Sequence, residues 1–130
     1  MRDTKERAPL YGTRAEQGRL RYVIDPRDWK PMKIGETELQ GFSWIPVAKD
    51  EGGAWESYWM KMSPGARSPH HVHHTTELLY IADGVFSDAD GADYFPGDVV
   101  WYRAGSRHMS FSTHGCMVFV VARTGSSVDE

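Results

Sequence analysis

The sequence has few of the features that would place it outside ordinary soluble proteins. Cys116 is the single cysteine among 130 residues, so no disulfide can form within the chain. No stretch approaches the roughly 20 consecutive apolar residues of a membrane-spanning helix. The first residues, M-R-D-T-K-E-R, lack the apolar centre of a secretion signal. We therefore expect one water-soluble domain, cytoplasmic and without a membrane partner.

A run of Lys and Arg interleaved with aromatic residues, which is typical of nucleic-acid surfaces, is also missing. Residues 1–33 carry nine Lys/Arg against five Asp/Glu, and residues 34–130 carry six against thirteen. The signs alternate within this basic head, so we expect no nucleic-acid partner. An arm lying against the acidic body, or against a partner subunit, fits the charge pattern better.

Helical periodicity is absent too, since no segment of about 11 residues repeats its apolar positions with the period of a helix. Short strand-like runs instead recur about every 8 to 12 residues, separated by turns of Gly, Pro and Asp. The sequence therefore predicts an all-β fold, an antiparallel sandwich or barrel. The main predicted strands are residues 21–24, 38–47, 54–62, 77–82, 85–87, 99–103, 108–112 and 116–121.

The chain divides into four predicted parts. Residues 1–20 form a mobile N-terminal arm, 21–37 a connecting strand and turn, 38–123 the β-domain, and 124–130 a C-terminal tail. The dipeptide Asp83-Gly84 predicts a hairpin between the strands on either side of it. Asp88 begins what reads as the next turn, at residues 88–91.

What the sequence has in excess is histidine, with four of its six histidines at residues 70–74. His71 and His73 leave one face of a strand, because side chains alternate faces with a period of two. Glu77 can return on the next strand after a short bend, and His108 follows 31 residues later. A tag or a solvated loop would also be rich in histidine, but this cluster is internal and precedes an apolar run.

The spacing therefore predicts a metal site whose ligands are His71, His73, Glu77 and His108. His70 and His74 lie on the opposite strand face, so we expect them at the surface or beside the ligands. Ser110 and Ser112 share a strand face with His108. Leu79 and Ile81 share a strand face with Glu77. We expect the two serines and these two apolar residues to line a mostly dry interior.

These residues resemble the two motifs of the cupins. The first, G-x5-H-x-H-x3-E-x6-G, matches in full from Gly65 to Gly84. The second, G-x5-P-x-G-x2-H-x3-N, matches at Gly97, Gly105 and His108 and departs from the pattern at Arg103 and Ser112. Neither departure touches a ligand, although both weaken inference about any one subfamily's chemistry.

The resemblance covers roughly residues 38–122 and implies a small jelly-roll barrel that surrounds one metal ion. Within the superfamily the chain is most similar to the cupin domain of ChrR-type anti-sigma factors, which carry a separate zinc-binding helical domain before the cupin. We expect no such domain here, because no Cys or His precedes His70. Freestanding cupins of this kind are often proposed as dioxygenases.

Ligand type leaves the metal open among Fe(II), Zn, Mn, Ni, Co and Cu. Fe(II) is favoured for oxygen chemistry, because histidines and one carboxylate with free positions recur in non-haem iron oxygenases. Zinc is favoured if the site is sensory or structural. Arg67 and Arg107 are candidates for binding an anionic substrate. Tyr102 is a further catalytic candidate, since it and Trp101 point to opposite faces of one strand.

Three functions remain open. The first is a mononuclear metal enzyme of dioxygenase type that acts on a small oxygenated organic molecule. The second is a metal-dependent isomerase or lyase, and the third is a non-catalytic sensory or regulatory module. We also expect a homodimer, because free strand edges need covering, with residues 20–24 as a candidate arm exchanged with the partner.

Overall fold

The computed structural model describes residues 18–123. Most of the predicted arm at 1–20, and the whole predicted tail at 124–130, lie outside the described residues. Within 18–123 the only helical element is a 3-10 turn at Pro26–Asp28, and no helix there is long and apolar enough to cross a membrane. The rest is strand and loop.

Twelve strands follow one another along the chain. They are β1 (Lys30–Ile34), β2 (Thr37–Lys49), β3 (Trp55–Met62), β4 (Ala66–Arg67), β5 (His71–Val72), β6 (Glu77–Gly84), β7 (Phe86–Asp88), β8 (Asp93–Tyr94), β9 (Val99–Tyr102), β10 (Arg107–His108), β11 (Ser110–Ser112) and β12 (Cys116–Arg123).

The strands form three antiparallel sheets. The largest has the order β1-β2-β3-β12-β6-β9, the second β4-β11-β7-β8, and the third pairs β10 with β5. The predicted all-β jelly roll of antiparallel strands is confirmed, although hydrogen bonds do not close the strands described here into one continuous barrel. The predicted hairpin of β2 and β3 is confirmed as well, with Phe42 opposite Met62 and Ile45 opposite Trp59.

Strand β12 shows how the sequence pattern builds the core. Its residues 116, 118 and 120 are at most 6% exposed, while residues 117, 119 and 121 on the other face are only half-buried. This alternation follows from the two-residue period of a strand, one face of which covers the interior. The interior cluster comprises Phe42, Met60, Met62, Ala66, Leu79, Ile81, Phe86, Val100, Tyr102, Cys116, Val118 and Val120.

The outer face of the six-stranded sheet carries large apolar side chains. Leu78 lies opposite Trp101 and Tyr80 opposite Val99 in the β6–β9 ladder, and all four are more than 40% exposed. Contiguous exposed apolar surface of this kind is typical of interaction sites. The expected homodimer stays a prediction, and this face is where it would be sought.

The predicted strand at residues 21–24 is wrong. These residues have no strand partner, and the chain instead enters a 3-10 turn that begins at Pro26. Asp25 caps this turn, because its side chain accepts a hydrogen bond from the backbone N–H of Arg27 at 3.0 Å. Proline suits the first position of such a turn, because its φ is already fixed and its missing N–H would have had no partner there. The first strand therefore begins only at Lys30.

The predicted hairpin at Asp83-Gly84 is also wrong. β6 runs through Gly84, and the chain then enters β7, which pairs with β11 and β8 in the second sheet. Gly84 lies opposite Cys116 with φ +77°, and its α-carbon leaves no room for a side chain. Close approach to β12 at this glycine bends the chain from one sheet to the next, whereas a tight turn would have returned it to β6.

The predicted strand at 108–112 is divided at Met109 into β10 and β11. Its two parts belong to different sheets, with His108 paired to β5 and Ser110 to β7. The interruption allows one short segment to connect the second and third sheets next to a predicted ligand.

Substitution of Gly84 by alanine should destabilise the fold strongly. A Cβ atom there would collide with the carbonyl oxygen of Gly115 and lie 2.7 Å from Cys116 Cα, in addition to the strain of a positive φ. We expect Gly84→Ala to lower the free energy of unfolding by about 3 kcal/mol or more, measured by urea denaturation.

The matched control is Gly91→Ala, at φ +98° with no atom within 4 Å of the added carbon. This variant introduces the backbone strain without the steric clash, so we expect its free energy of unfolding to fall by only about 1 kcal/mol. Equal losses in the two variants would show that the sheet crossing at Gly84 can relax.

Candidate metal centre

Three histidines converge at the junction of the short sheets. His71 and His108 are direct partners in the β5–β10 ladder, and His73 follows β5 by one residue. The pairing continues past the end of the strand. The backbone N–H of His73 donates to the carbonyl of Ser106, and the backbone carbonyl of His73 accepts a hydrogen bond from the N–H of Gly105. One ring nitrogen from each histidine lies within 4.8 Å of the others. This group could hold a metal ion.

Two of the rings lie nearly parallel and bring matching atoms together. His73 and His108 stack with centroids 4.6 Å apart and planes 9° from parallel, and their Nε2 atoms are 2.5 Å apart. Two nitrogen lone pairs that face each other so closely repel, unless a proton bridges them or both nitrogens bind one shared cation. The arrangement therefore suits a cation bound through Nε2.

The hydrogen bond at the far side of His71 assigns its tautomer. Nδ1 of His71 lies 3.0 Å from the carbonyl oxygen of Pro69. A carbonyl can only accept, so Nδ1 carries the proton and, in the neutral ring, Nε2 carries the lone pair. Backbone geometry thus prepares His71 for metal binding.

A buried carboxylate assigns the tautomer of His108 in the same way. Asp88 Oδ1 lies 3.1 Å from Nδ1 of His108, and the side chains of both residues are 8% exposed. Ser110 Oγ lies 2.9 Å from the same Nδ1 and can share its proton. With Nδ1 as the donor, Nε2 of His108 is free to bind a cation.

Asp88 is itself held by phenolic hydroxyls. Tyr102 donates to both carboxylate oxygens, at 2.8 and 2.7 Å, and Tyr94 lies 3.5 Å from Oδ2. Burial alone would raise the pKa of Asp88, but hydrogen bonds from His108 and Tyr102 outweigh it and hold the pKa below its ordinary value. The carboxyl is therefore ionised, as an acceptor for His108 must be.

Burial also keeps two of the imidazoles neutral. It lowers the pKa of His73 to about 4, assisted by the neighbouring rings of His108 and His71, and it lowers the pKa of His71. Metal binding requires the unprotonated imidazole, so neither ring has to lose a proton at neutral pH. Donor type, tautomer and charge state all fit a divalent transition metal.

Glu77 lies beside the histidines but outside the converging group. Its Oε1 is 3.5 Å from Nδ1 of His73, on the ring edge opposite Nε2, and its side chain is 18% exposed. Burial, with a smaller contribution from Glu56, raises the pKa of Glu77 to about 7. Its role as fourth ligand stays a prediction.

A small cavity of about 150 Å³ opens beside the imidazoles. His71, His108, Glu77 and Ser110 are among its polar residues, and Phe42, Leu79 and Phe86 are among its apolar ones. Among the described residues, no Lys or Arg lines it. As predicted, Leu79 and Ser110 line the interior, whereas Ile81 and Ser112 are buried in the core away from the cavity lining.

The three candidate catalytic residues lie in different places. Tyr102 is 7% exposed and stacks on His108 at 4.0 Å, whereas Trp101 is 59% exposed, so the predicted opposition of these two residues is confirmed. Arg67 is exposed with its guanidinium 5.8 Å from the Phe111 ring, and Arg107 is exposed on β10. Their role in binding an anionic substrate stays a prediction, and neither lines the cavity. His70 and His74 are exposed, as expected.

Asp88 is the residue of the candidate site that the sequence did not reveal. Its position ahead of Ala89-Asp90-Gly91 is typical of a turn, and the turn does follow immediately. The available signal was its strand period, since Phe86 and Asp88 share a face and an apolar residue two positions away indicates an inward side chain. Its partner Tyr102 comes from a distant strand, which no local pattern predicts.

Comparison with known protein families identifies the family of this chain. The family model of the ChrR cupin-like domain matches residues 17–125. The chain therefore belongs to the ChrR cupin-like domain family. A search of curated protein sequences found no match.

Solved structures that share the fold include an acetylacetone dioxygenase from Acinetobacter johnsonii, with a TM-score of 0.71 at 11% identity over 87% of this chain and 79% of that one. An RmlC-like cupin from Shewanella frigidimarina has a TM-score of 0.63 at 14% identity over 82% and 94%. The polyketide cyclase RemF from Streptomyces resistomycificus has a TM-score of 0.65 at 17% identity, over 85% of this chain and 89% of that one. At these identities the likeness shows the cupin fold.

The raised pKa of Glu77 makes the stability of the metal-free protein depend on pH. The pKa is about 7 in the folded chain against an ordinary 4.5, so the folded state holds this proton more tightly than the unfolded state. The stability associated with it is present below about pH 4.5 and is lost as pH rises towards 7. Glu77→Gln, which cannot ionise, should raise the free energy of unfolding by about 1–3 kcal/mol at pH 8 and by little at pH 5.

Urea denaturation in the presence of a chelator measures this difference. Glu38→Gln, on the exposed part of β2, is the matched control and should follow wild type at both pH values. A Glu77→Gln effect of equal size at pH 5 and pH 8 would argue against a buried carboxyl that holds a proton.

Proposed function

We propose that this protein is a mononuclear metal-dependent enzyme of dioxygenase type that acts on a small oxygenated organic molecule. The observation that carries the proposal is the convergence of three imidazoles, with two tautomers fixed by acceptors at Nδ1, beside a small and mostly apolar cavity. A divalent metal bound there, Fe(II) in this proposal, would supply Lewis acidity and open positions for dioxygen and a substrate oxygen.

The residues of the chain would do the rest by positioning. His71, His73 and His108 would hold the cation through Nε2, and the acceptors at Nδ1 of His71 and His108 would keep those rings from turning away. The apolar wall excludes bulk water, which strengthens electrostatic interactions inside. Glu77 borders this space with a pKa of about 7, so its carboxyl can serve as the fourth ligand or hold a proton next to the substrate.

The cavity also favours a particular substrate class. A volume of about 150 Å³ accommodates a molecule of a few heavy atoms, well below the usual size of drug-binding pockets. The mostly apolar lining, with no cationic side chain among the described residues, favours a neutral substrate with oxygen atoms that chelate the metal. Diketones, hydroxyketones and catechols fit this description. The name of the Acinetobacter structure, an acetylacetone dioxygenase, supports including diketones.

A sensory or regulatory function is the second candidate, and membership of the ChrR cupin-like family favours it. In that case metal loading would change the affinity for another protein, and no substrate would turn over. Zinc would be the expected ion. A metal-dependent isomerase or lyase would use the same histidines without consuming dioxygen.

Metal binding should depend on the converging histidines and not on their neighbours. We expect about one divalent metal ion per chain in wild type, and a loss of at least tenfold in affinity for His73→Ala. The matched control, His74→Ala, removes the adjacent exposed imidazole and should bind as wild type does. Metal analysis after dialysis and competition with a chromophoric chelator measure both variants, with circular dichroism to check folding. Equal losses in the two would contradict the site.

Substrate-dependent oxygen uptake tests the reaction type. We expect protein purified anaerobically and loaded with Fe(II) to consume dioxygen in the presence of at least one diketone, hydroxyketone or catechol, at a rate that falls at least tenfold in His73→Ala. Loss of substrate without oxygen uptake would favour an isomerase or lyase. Tight zinc binding with no turnover of any compound would favour the sensory function.

A further inference from the structure

Asp88 lies in one sheet and forms hydrogen bonds with residues of the other two. It ends β7 in the four-stranded sheet, directly opposite Ser110 of β11. Its carboxylate accepts from Tyr102 of β9 in the six-stranded sheet and from His108 of β10 in the two-stranded sheet. Asp88 is 6% exposed, so these hydrogen bonds are made away from bulk solvent.

We propose that Asp88, oriented by the hydroxyl of Tyr102, is the positioning residue for His108 and tunes the strength with which the site binds its metal. The inference rests on the proposed metal centre and assigns a role to two residues outside the predicted ligand set. Neither side chain needs to touch the cation, because both act through Nδ1 of His108.

The charge of Asp88 has two effects on His108. As an acceptor it places the ring proton on Nδ1, which leaves the lone pair of Nε2 towards His73. As an anion it makes the imidazole more basic, and a more basic ring is a stronger metal ligand. A neutral amide in the same place could keep the first effect in part and would lose the second.

Tyr102 contacts Asp88 and His108 through different parts of its side chain, and substitution can separate the two contacts. Its hydroxyl donates to both oxygens of Asp88, which leaves the plane of the carboxylate little freedom. Its ring stacks on His108 with centroids 4.0 Å apart and planes 12° from parallel. Tyr102→Phe removes the hydroxyl and keeps the ring, so it tests the hydrogen bonds without opening a cavity.

The test measures metal affinity directly, with Co(II) and Zn(II) as probes in competition with a chromophoric chelator. We expect about 10- to 100-fold weaker binding for Asp88→Asn, and about 3- to 10-fold weaker binding for Tyr102→Phe. Because Tyr102 acts through Asp88, adding Tyr102→Phe to the Asp88→Asn variant should produce little further loss. The visible bands of bound Co(II) should change in Asp88→Asn, because the ligand strength of His108 changes.

The matched control is Asp98→Asn, which alters an exposed carboxylate whose Oδ2 accepts from Phe95 N at 2.8 Å in a turn. Its metal affinity should stay within twofold of wild type. Folded Asp88→Asn with affinity within twofold of wild type and an unchanged Co(II) spectrum would overturn the inference. If Asp88→Asn does not fold, Tyr102→Phe decides, since at least threefold weaker binding supports the inference and affinity within twofold of wild type overturns it.

Wild-type protein separates this inference from the proposed function. Failure of wild type to bind either metal at its histidines would refute the metal centre itself. If wild type binds metal and neither Asp88→Asn nor Tyr102→Phe changes the affinity, only the positioning role is refuted. Full additivity of the two substitutions would show that the Tyr102 hydroxyl affects the metal by a route other than Asp88, and would overturn its orienting role.

Discussion

The structure around the three histidines depends on one buried carboxylate. Asp88 receives hydrogen bonds from groups on two other sheets, and an unpaired carboxylate in that place would cost several kcal/mol. Asp88 can therefore be buried only because Tyr102 and His108 lie beside it and donate hydrogen bonds to its carboxylate. The same contacts that make this burial tolerable orient His108 and hold the two short strands β5 and β10 against the larger sheets.

This requirement explains why short strands suffice to build the site. β5 and β10 contain two residues each, and a ladder of two pairs contributes little stability alone. The histidines are kept in place by groups beyond the ladder, namely Pro69 O for His71, Asp88 for His108 and the Ser106 and Gly105 backbone for His73. The irregularity at 108–112 shapes the candidate site, because the break at Met109 places His108 in one sheet and Ser110 in another.

Sequence patterns predicted the parts of this protein that obey local rules. The period of two identified the longer strands β2, β3, β6 and β12, and the spacing of His71 and His73 identified two of the three converging histidines. The failures occurred where tertiary contacts decide the conformation. Gly84 bends the chain between sheets because β12 passes against it, and no pattern within 77–87 distinguishes that bend from a hairpin. Asp88 likewise reads as a turn residue until Tyr102, from a strand 14 residues away, is placed beside it.

Glu77 illustrates how burial can leave one sequence motif with two chemical uses. In H-x-H-x3-E its spacing predicts a ligand, yet the carboxyl lies on the Nδ1 side of His73, with its pKa raised to about 7 by burial. A bound cation near the imidazoles would favour the ionised form and so oppose the effect of burial. A proton on Glu77 and a metal ion at the histidines would therefore be coupled, because each disfavours the other. Metal affinity should accordingly rise with pH, even though His71 and His73 are already neutral.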